Sequence, residues 1–91
     1  MKTVIKRSAL QHGLTESEIL YAVDNQIKSK RYFNKQYQTS NIWAICILAN
    51  GNSCEIVYAY DGIDRRIVFH AMSPARKNFI QSVERKENGI C

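Results

Sequence analysis

An unbroken apolar run from Ile42 to Ala49 is the feature that most constrains how this chain can fold. The run has the length of a strand and is far shorter than the about 20 residues that a membrane-spanning helix needs. A strand without a polar side must be covered on both faces, so the run predicts a central strand inside a layered domain. Since 91 residues support one modest core, we expect residues 1–91 to form a single domain.

Turn signals and alternating patterns surround this run. Asn50-Gly51 is a strong hairpin signal, and Asp61-Gly62 begins a second turn. Between and beyond these turns, apolar and polar residues alternate with the period of a strand. The pattern predicts an antiparallel meander of three or four strands. The predicted strands cover residues 27–33, 42–48, 54–60 and 65–71.

Helical signals flank the predicted meander. Residues 3–12 are compatible with a short helix that stops at Gly13. Thr15 and Glu18 have the spacing of a capping box, which predicts a second helix running to about residue 25. A last helix is expected over residues 75–86. The apolar positions that these last two helices should bury are Ile19, Leu20, Ala22, Val23, Phe79, Ile80 and Val83. The predicted fold is therefore α+β, with two N-terminal helices, the meander sheet and a C-terminal helix.

The charge balance points to a polyanionic partner. Thirteen Lys and Arg against eight Asp and Glu give a formal charge of +5, with a pI near 9.3. The cations occur in blocks, which favours binding of nucleic acid or of an acidic protein, although a solvated basic surface without a partner gives the same pattern. The two main blocks are Lys28, Lys30, Arg31 and Lys35, and Arg65, Arg66, Arg76 and Lys77.

The end of the last predicted strand could carry chemistry. A period of two puts Arg66, Val68 and His70 on one face, and Arg76 with Lys77 follows at the start of the last helix. A helix N-terminus favours anions, so a phosphate could meet these groups together. RNA cleavage needs an acid, a base and positive charge near the reacting phosphate. We therefore take His70, Arg76 and Arg66 as candidate catalytic residues, while a structural hydrogen bond remains the alternative role of His70.

Other polar groups have structural alternatives. His12 precedes Gly13, where an imidazolium would complement a helix dipole, and we predict a structural role. Glu55 could be a general base, but an ion pair with Arg65 or Arg66 is the stronger expectation. The two histidines lack a thiol or carboxylate at ligand spacing, so the sequence predicts no metal site and no cofactor.

Aromatic residues lie among the cations of the first main block. Tyr32, Phe33 and Tyr37 could stack on unpaired bases, or they could be half-buried rings on an exposed strand and loop.

The cysteines and the N-terminal segment suggest a compartment. Cys46, Cys54 and Cys91 show no disulfide framework and no metal-binding spacing. The first residues carry positive charge without a following apolar stretch, so we expect no signal peptide. Reduced thiols in a cytoplasmic protein without a membrane association are the resulting prediction.

Two segments resemble a known family. The first runs from His12 to Ile19 and continues with Ala22 and Asn25; the second runs from Val68 to Phe79 and contains His-Ala-Met followed by Arg and an aromatic residue. Together they resemble BrnT-type toxins of the RelE-like superfamily, which are ribonucleases encoded beside an antitoxin. The resemblance implies an RelE/BrnT-like fold, an mRNA substrate (free or on the ribosome) and a cognate antitoxin partner. It also implies that Arg76 contacts phosphate and that His70 is an acid or base.

Our first hypothesis is thus a toxin that cleaves mRNA as a metal-independent endoribonuclease and inhibits translation. The RNA-contacting residues would be Lys28, Lys30, Arg31, Arg65 and Lys77.

The alternatives are non-catalytic. One is a nucleic-acid- or protein-binding module, for example a winged helix whose second helix enters a DNA groove. The acidic residues Glu16, Glu18 and Asp24 speak against that example, because phosphates would repel such a helix. The other is a catalytically inactive relative that acts only through protein contacts.

Overall fold

The computed structural model describes residues 1–36 and 38–85. Within those residues the chain forms an α+β structure with a five-stranded mixed sheet, two α-helices and one 3-10 helix. In chain order the elements are β1 (Lys2–Ile5), the 3-10 helix (Arg7–Leu10), α1 (Glu16–Val23), β2 (Gln26–Asn34), β3 (Thr39–Ile47), β4 (Ser53–Tyr60), β5 (Arg65–Met72) and α2 (Lys77–Glu84).

The strands lie in the order β1-β5-β4-β3-β2. Strands β2 to β5 form an antiparallel meander, as the turn signals predict, and β1 is added in parallel to the edge of β5. The apolar run becomes β3, which has a neighbouring strand on each side. Ala44 and Cys46 are buried on one of its faces and Ile45 on the other, so its predicted coverage on both faces is confirmed.

Helices cover the two faces of the sheet. We call the face that packs against α1 and the 3-10 helix the α1 face; its buried strand residues are Ile42, Ala44, Cys46, Cys54, Ile56, Tyr58, Val68 and Ala71. The opposite, α2 face, is built around Ile45, Trp43 and Val57, which pack against Phe79 and Val83 of α2.

The prediction of two N-terminal helices is wrong, and so is the count of three to four strands. Residues 2–5 form β1, which pairs in parallel with residues 65–68 of β5, and a 3-10 helix is the one helical element between β1 and α1. Thr3, Val4 and Ile5 are β-branched and suit a strand, but a partner more than sixty residues away decides their conformation. Gly13, at a φ of +88°, turns the chain after this helix, a conformation that other residues rarely adopt.

The predicted capping box of α1 is confirmed. The Glu18 amide donates to Thr15 Oγ1 at 3.1 Å, and the Thr15 amide donates to Glu18 Oε1 at 2.8 Å. Ile19 and Val23 are buried, whereas Leu20, which we expected in the apolar stripe, is exposed. Helix α2 is shorter than predicted, and residue 86 of the prediction lies outside the described residues.

A β-bulge on β5 changes which side chains share a face. Tyr58 of β4 is opposite Val68, but the preceding Val57 is opposite His70, so Phe69 has no partner on β4. The extra residue reverses the alternation beyond it. Val68 therefore lies on the α1 face, while His70 lies on the α2 face, and the prediction that they share a face is wrong. Phe69 is exposed.

Neither helix among residues 1–36 and 38–85 combines the length and the apolar character needed to cross a membrane.

Candidate active site

A buried carboxylate organises the polar residues of the α2 face. Glu55 on β4 is fully buried, and its Oε2 lies 2.7 Å from His70 Nε2 and 2.7 Å from Arg76 Nη2. Its Oε1 accepts a hydrogen bond of 2.8 Å from the Arg76 amide. The sequence predicted an ion pair of Glu55 with Arg65 or Arg66; the structure pairs it with Arg76 instead.

The loop between β5 and α2 holds Arg76 in place. Ser73 Oγ donates to the Ser53 carbonyl at 2.6 Å, and the Ala75 amide donates to Ser53 Oγ at 2.9 Å. Ser53 begins β4, two residues before Glu55. The loop is thus fixed to the strand that carries the carboxylate, and Arg76, at the N-cap position of α2, donates its amide to that carboxylate.

These contacts keep Glu55 ionised. Burial by itself would raise the pKa of the Glu55 carboxyl, but hydrogen bonds from Arg76 and His70 outweigh it and lower the pKa below its ordinary value. An ionised carboxylate can only accept hydrogen bonds, so His70 Nε2 carries the hydrogen of this contact. In the neutral imidazole, Nδ1 of His70 then keeps a lone pair and can accept a proton.

The second histidine lies beside the first. The rings of His12 and His70 are edge to face, with centroids 5.3 Å apart and planes at 76°. His12 reaches this position because the 3-10 helix follows the edge of β5 beyond β1, where Ser8 Oγ donates to the Phe69 carbonyl at 2.6 Å. The sequence predicts His12 at a helix end, and no local signal in the sequence reports this long-range neighbour.

A groove of about 420 Å³ opens beside the two site residues His70 and Arg76. It lies between α2 and the sheet, and its walls include Trp43, Val57, Phe79 and Asn78. Trp43 and Phe79 are stacked, with ring centroids 5.1 Å apart and planes at 7°.

Of the three candidate catalytic residues, the structure brings together His70 and Arg76, but not Arg66. Arg66 lies on the α1 face, where its Nη2 is 2.7 Å from Asp24 Oδ1 and its Nε donates to Thr3 Oγ1 at 3.2 Å. The bulge at Phe69 is the physical reason, since it turns the strand between the two positions. Arg66 therefore ties β5 to β1 and to the end of α1.

Three of the five predicted RNA-contacting residues lie on the α2 face of the sheet or on helix α2 itself, and we call these two surfaces together the α2 side. The register of β2 puts Lys28 beside Ile45 and Lys30 beside Trp43, both on the α2 face. Lys30 Nζ also donates to the Arg85 carbonyl at 3.0 Å, just after α2. Lys77 is the first residue of α2 and is exposed.

The other two lie elsewhere. Arg31 pairs with Ile42 and is on the α1 face. Arg65 begins β5, next to the second turn, where its Nη2 forms an ion pair of 2.8 Å with Asp61 Oδ2. The sheet therefore separates Arg31 from the groove, and the length of β5 separates Arg65 from it.

The aromatic residues near the first main block also lie on different faces of the sheet. Tyr32 donates from its hydroxyl to the Ser82 carbonyl at 2.7 Å and so helps to hold α2. Phe33 is exposed on the α1 face, and Tyr37 lies outside the described residues.

The cysteines do not form part of this site. Cys46 and Cys54 are directly opposite each other on β3 and β4, are free thiols and are fully buried. Burial raises the pKa of Cys46 to about 12 and that of Cys54 to about 11, so both stay protonated at neutral pH. Cys91 lies outside the described residues. Within the described part of the chain, His, Cys, Asp and Glu do not gather in a group of three that could hold a metal ion.

Comparison of the chain with known protein families, with curated proteins and with solved structures finds no match.

Proposed function

We propose that this chain is an endoribonuclease that cleaves mRNA, acting as the toxin of a bacterial toxin–antitoxin pair. One observation carries the proposal: the buried Glu55 holds an imidazole and a guanidinium together at the mouth of a groove, within 2.7 Å of the same carboxylate oxygen. Imidazole and guanidinium are the groups that proton transfer and phosphate binding require in RNA cleavage.

His70 is the general base in this mechanism. Its Nδ1 takes the proton from the ribose 2′-hydroxyl, whose oxygen then attacks the adjacent phosphorus. Glu55, behind Nε2, fixes the ring and stabilises the imidazolium that forms, as a carboxylate does in a catalytic triad.

His12 is the general acid. It adjoins His70 and donates a proton to the leaving 5′-oxygen as the phosphorus–oxygen bond breaks. The products are a 2′,3′-cyclic phosphate and a 5′-hydroxyl end, and the two histidines exchange their protonation states.

Arg76 stabilises the negative charge of the reacting phosphate. A guanidinium has five N–H groups, and Glu55 occupies the edge that includes Nε and Nη2. The Arg76 side chain is 59% exposed, so its remaining N–H groups are accessible to a phosphate oxygen.

The substrate and the partner follow from charge and from resemblance. Lys28, Lys30 and Lys77 give the α2 side positive charge that suits an RNA backbone. The resemblance to BrnT-type toxins supports mRNA as the substrate, and an antitoxin that covers the same surface with acidic residues.

Mapping of new RNA 5′ ends after brief expression in a bacterium tests the proposal. We expect new ends with the unchanged protein and none with the His70→Ala, Arg76→Ala double variant at equal protein level. Arg31→Ala is the matched control, because it removes one formal charge from the α1 face and should leave the cuts in place.

A further variant separates lost chemistry from lost folding. His12→Ala leaves the contacts of Glu55 intact, so it should stay folded by circular dichroism and yet lose cleavage. With purified protein, one 2′-deoxy nucleotide at a mapped site should abolish cutting there. Cuts that persist in the double variant would refute the assignment of His70 and Arg76, and no cuts from folded protein would favour the non-catalytic binding module.

A further inference from the structure

The segment that carries His12 is attached to β5 directly beside His70. Ser8, in the 3-10 helix, donates from its Oγ to the Phe69 carbonyl at 2.6 Å. Phe69 precedes His70 on β5, so this carbonyl belongs to the peptide bond that joins these two residues. The Ser8 hydroxyl therefore connects the segment before His12 to the backbone of His70.

The β-bulge explains why this carbonyl is available to Ser8. Phe69 has no partner on β4, and the extra residue of a bulge is left out of the ladder of hydrogen bonds between the strands. A backbone carbonyl without a ladder partner is normally paired with another donor, and the Ser8 hydroxyl is that donor here. The bulge that turns His70 to the α2 face thus also provides the acceptor that holds the 3-10 helix.

Packing holds the end of the 3-10 helix, but His12 lies beyond it. Ala9 is fully buried, and Leu10 packs against the core of the α1 face. His12 is exposed, and its ring lies edge to face against the His70 ring, with centroids 5.3 Å apart. Because one ring contact is a weak constraint on an exposed side chain, the position of His12 depends on how firmly the preceding segment is attached.

We propose that Ser8 is a positioning residue for the general acid: through the Phe69 carbonyl, it holds His12 against His70. The inference rests on the proposed ribonuclease function for the role of His12 as an acid, whereas the position of His12 can be measured without RNA. Ser8→Ala removes one hydroxyl from an exposed residue and leaves the buried part of the 3-10 helix unchanged, so the variant should fold.

The two histidines of the chain report on this position. In the full-length protein, His12→Ala and His70→Ala assign the imidazole NMR signals, and the ring current of each imidazole shifts the signal of the other. We expect Ser8→Ala to move the His70 signal towards its position in His12→Ala. In the His12→Ala background, Ser8→Ala should move the signal no further, because the ring that it displaces is already absent.

Cleavage of an RNA that contains a mapped site gives a second readout. Ser8→Ala should slow single-turnover cutting about two- to tenfold, as expected for the loss of one hydrogen bond, while the affinity for 2′-O-methylated RNA is unchanged because Arg76 keeps its place. Ser8→Thr retains the hydroxyl and should restore both the rate and the His70 signal. Ser17→Ala, which removes a hydroxyl from an exposed serine of α1, is the control and should change neither.

The outcomes separate the inference from the proposed function. A shift of the His70 signal that requires His12 and that Ser8→Thr reverses supports the inference. An unchanged signal in folded Ser8→Ala, an equal shift in both backgrounds, or a shift that remains in Ser8→Thr would overturn it even if RNA cleavage is observed. If the protein cuts no RNA but the shift that requires His12 is present, Ser8 still holds His12, and the role of His12 as an acid is removed.

Discussion

At the scale of single residues, Glu55 links the stability of the fold to the site. Its carboxylate receives hydrogen bonds from the Arg76 side chain and amide and from His70, and these lower its pKa below the ordinary 4.5. A carboxyl whose pKa is lowered on folding contributes stability that is complete above its unfolded pKa and disappears as the pH falls through its folded pKa. The fold should therefore lose this contribution below about pH 4.5.

Glu55→Gln tests this linkage. At neutral pH we expect a loss of about 1–3 kcal/mol in the free energy of unfolding, because the buried amide cannot accept from all the donors that surround it. The loss relative to the unchanged protein should shrink as the pH is lowered from 7 to 3, measured by urea denaturation. A difference that stays constant over this range would show that the ionised carboxylate contributes nothing.

The residues of this site were only partly predictable. His70 and Arg76 could be found, because they lie close together in sequence at a strand end and a helix start. The partner of Glu55 and the proximity of His12 to His70 depend on how β5 and its edge are covered, which local patterns do not encode. Arg66 lies on the opposite face from His70 because of a single bulged residue, Phe69.

At the scale of elements, sequence signals predicted the structure correctly where the element depends on residues that are close in sequence. The capping box of α1 and the hairpin turns of the meander depend on neighbouring residues, and the structure contains both. β1 could not be predicted, since within residues 1–36 and 38–85 it pairs with β5 alone, and a short segment of mixed polarity reads equally well as the start of a helix.

The N-cap of α1 should contribute measurably to the stability of the fold. Thr15→Ala should lower the free energy of unfolding by about 1 kcal/mol, because the Glu18 amide loses its acceptor. Ser17→Ala, an exposed change in the same turn, is the control and should have little effect. Urea denaturation measures both; RNA cleavage at a temperature where both proteins are folded should be unchanged, since Thr15 is hydrogen-bonded to Glu18 and not to a residue of the site.

At the scale of the whole molecule, the sheet divides the positive charge into two sides. Lys28 and Lys77 belong to the α2 side, while Arg31 lies on the α1 face and Arg65 is paired with Asp61. From the sequence alone, all four belong to one basic surface. A cation can be assigned to one face of the sheet only when its strand and the register of that strand are known.

Binding to a non-cleavable RNA should distinguish these sides. In the Lys28→Ala, Lys77→Ala variant, we expect weaker binding and a slope of log affinity against log salt that is reduced by about 1.4, or about 0.7 for each phosphate contact. The Arg31→Ala, Arg65→Ala variant removes the same formal charge and should keep the original slope. Fluorescence anisotropy over a range of salt concentrations provides the measurement, and equal losses in both variants would contradict the division.

The parallel pairing of β1 with β5 also sets an order of assembly. Thr3 and Arg66, hydrogen-bonded across this pair, are 63 positions apart, whereas each strand of the meander follows its neighbour along the chain. The entropy lost in closing a loop grows with its length, so the hairpins can form before residues 2–5 find their place. The 3-10 helix and His12 follow β1 directly, and they reach the edge of β5 with it. We therefore expect the two imidazoles to meet only after the meander has formed, so that a chain that has not yet added β1 has no complete site.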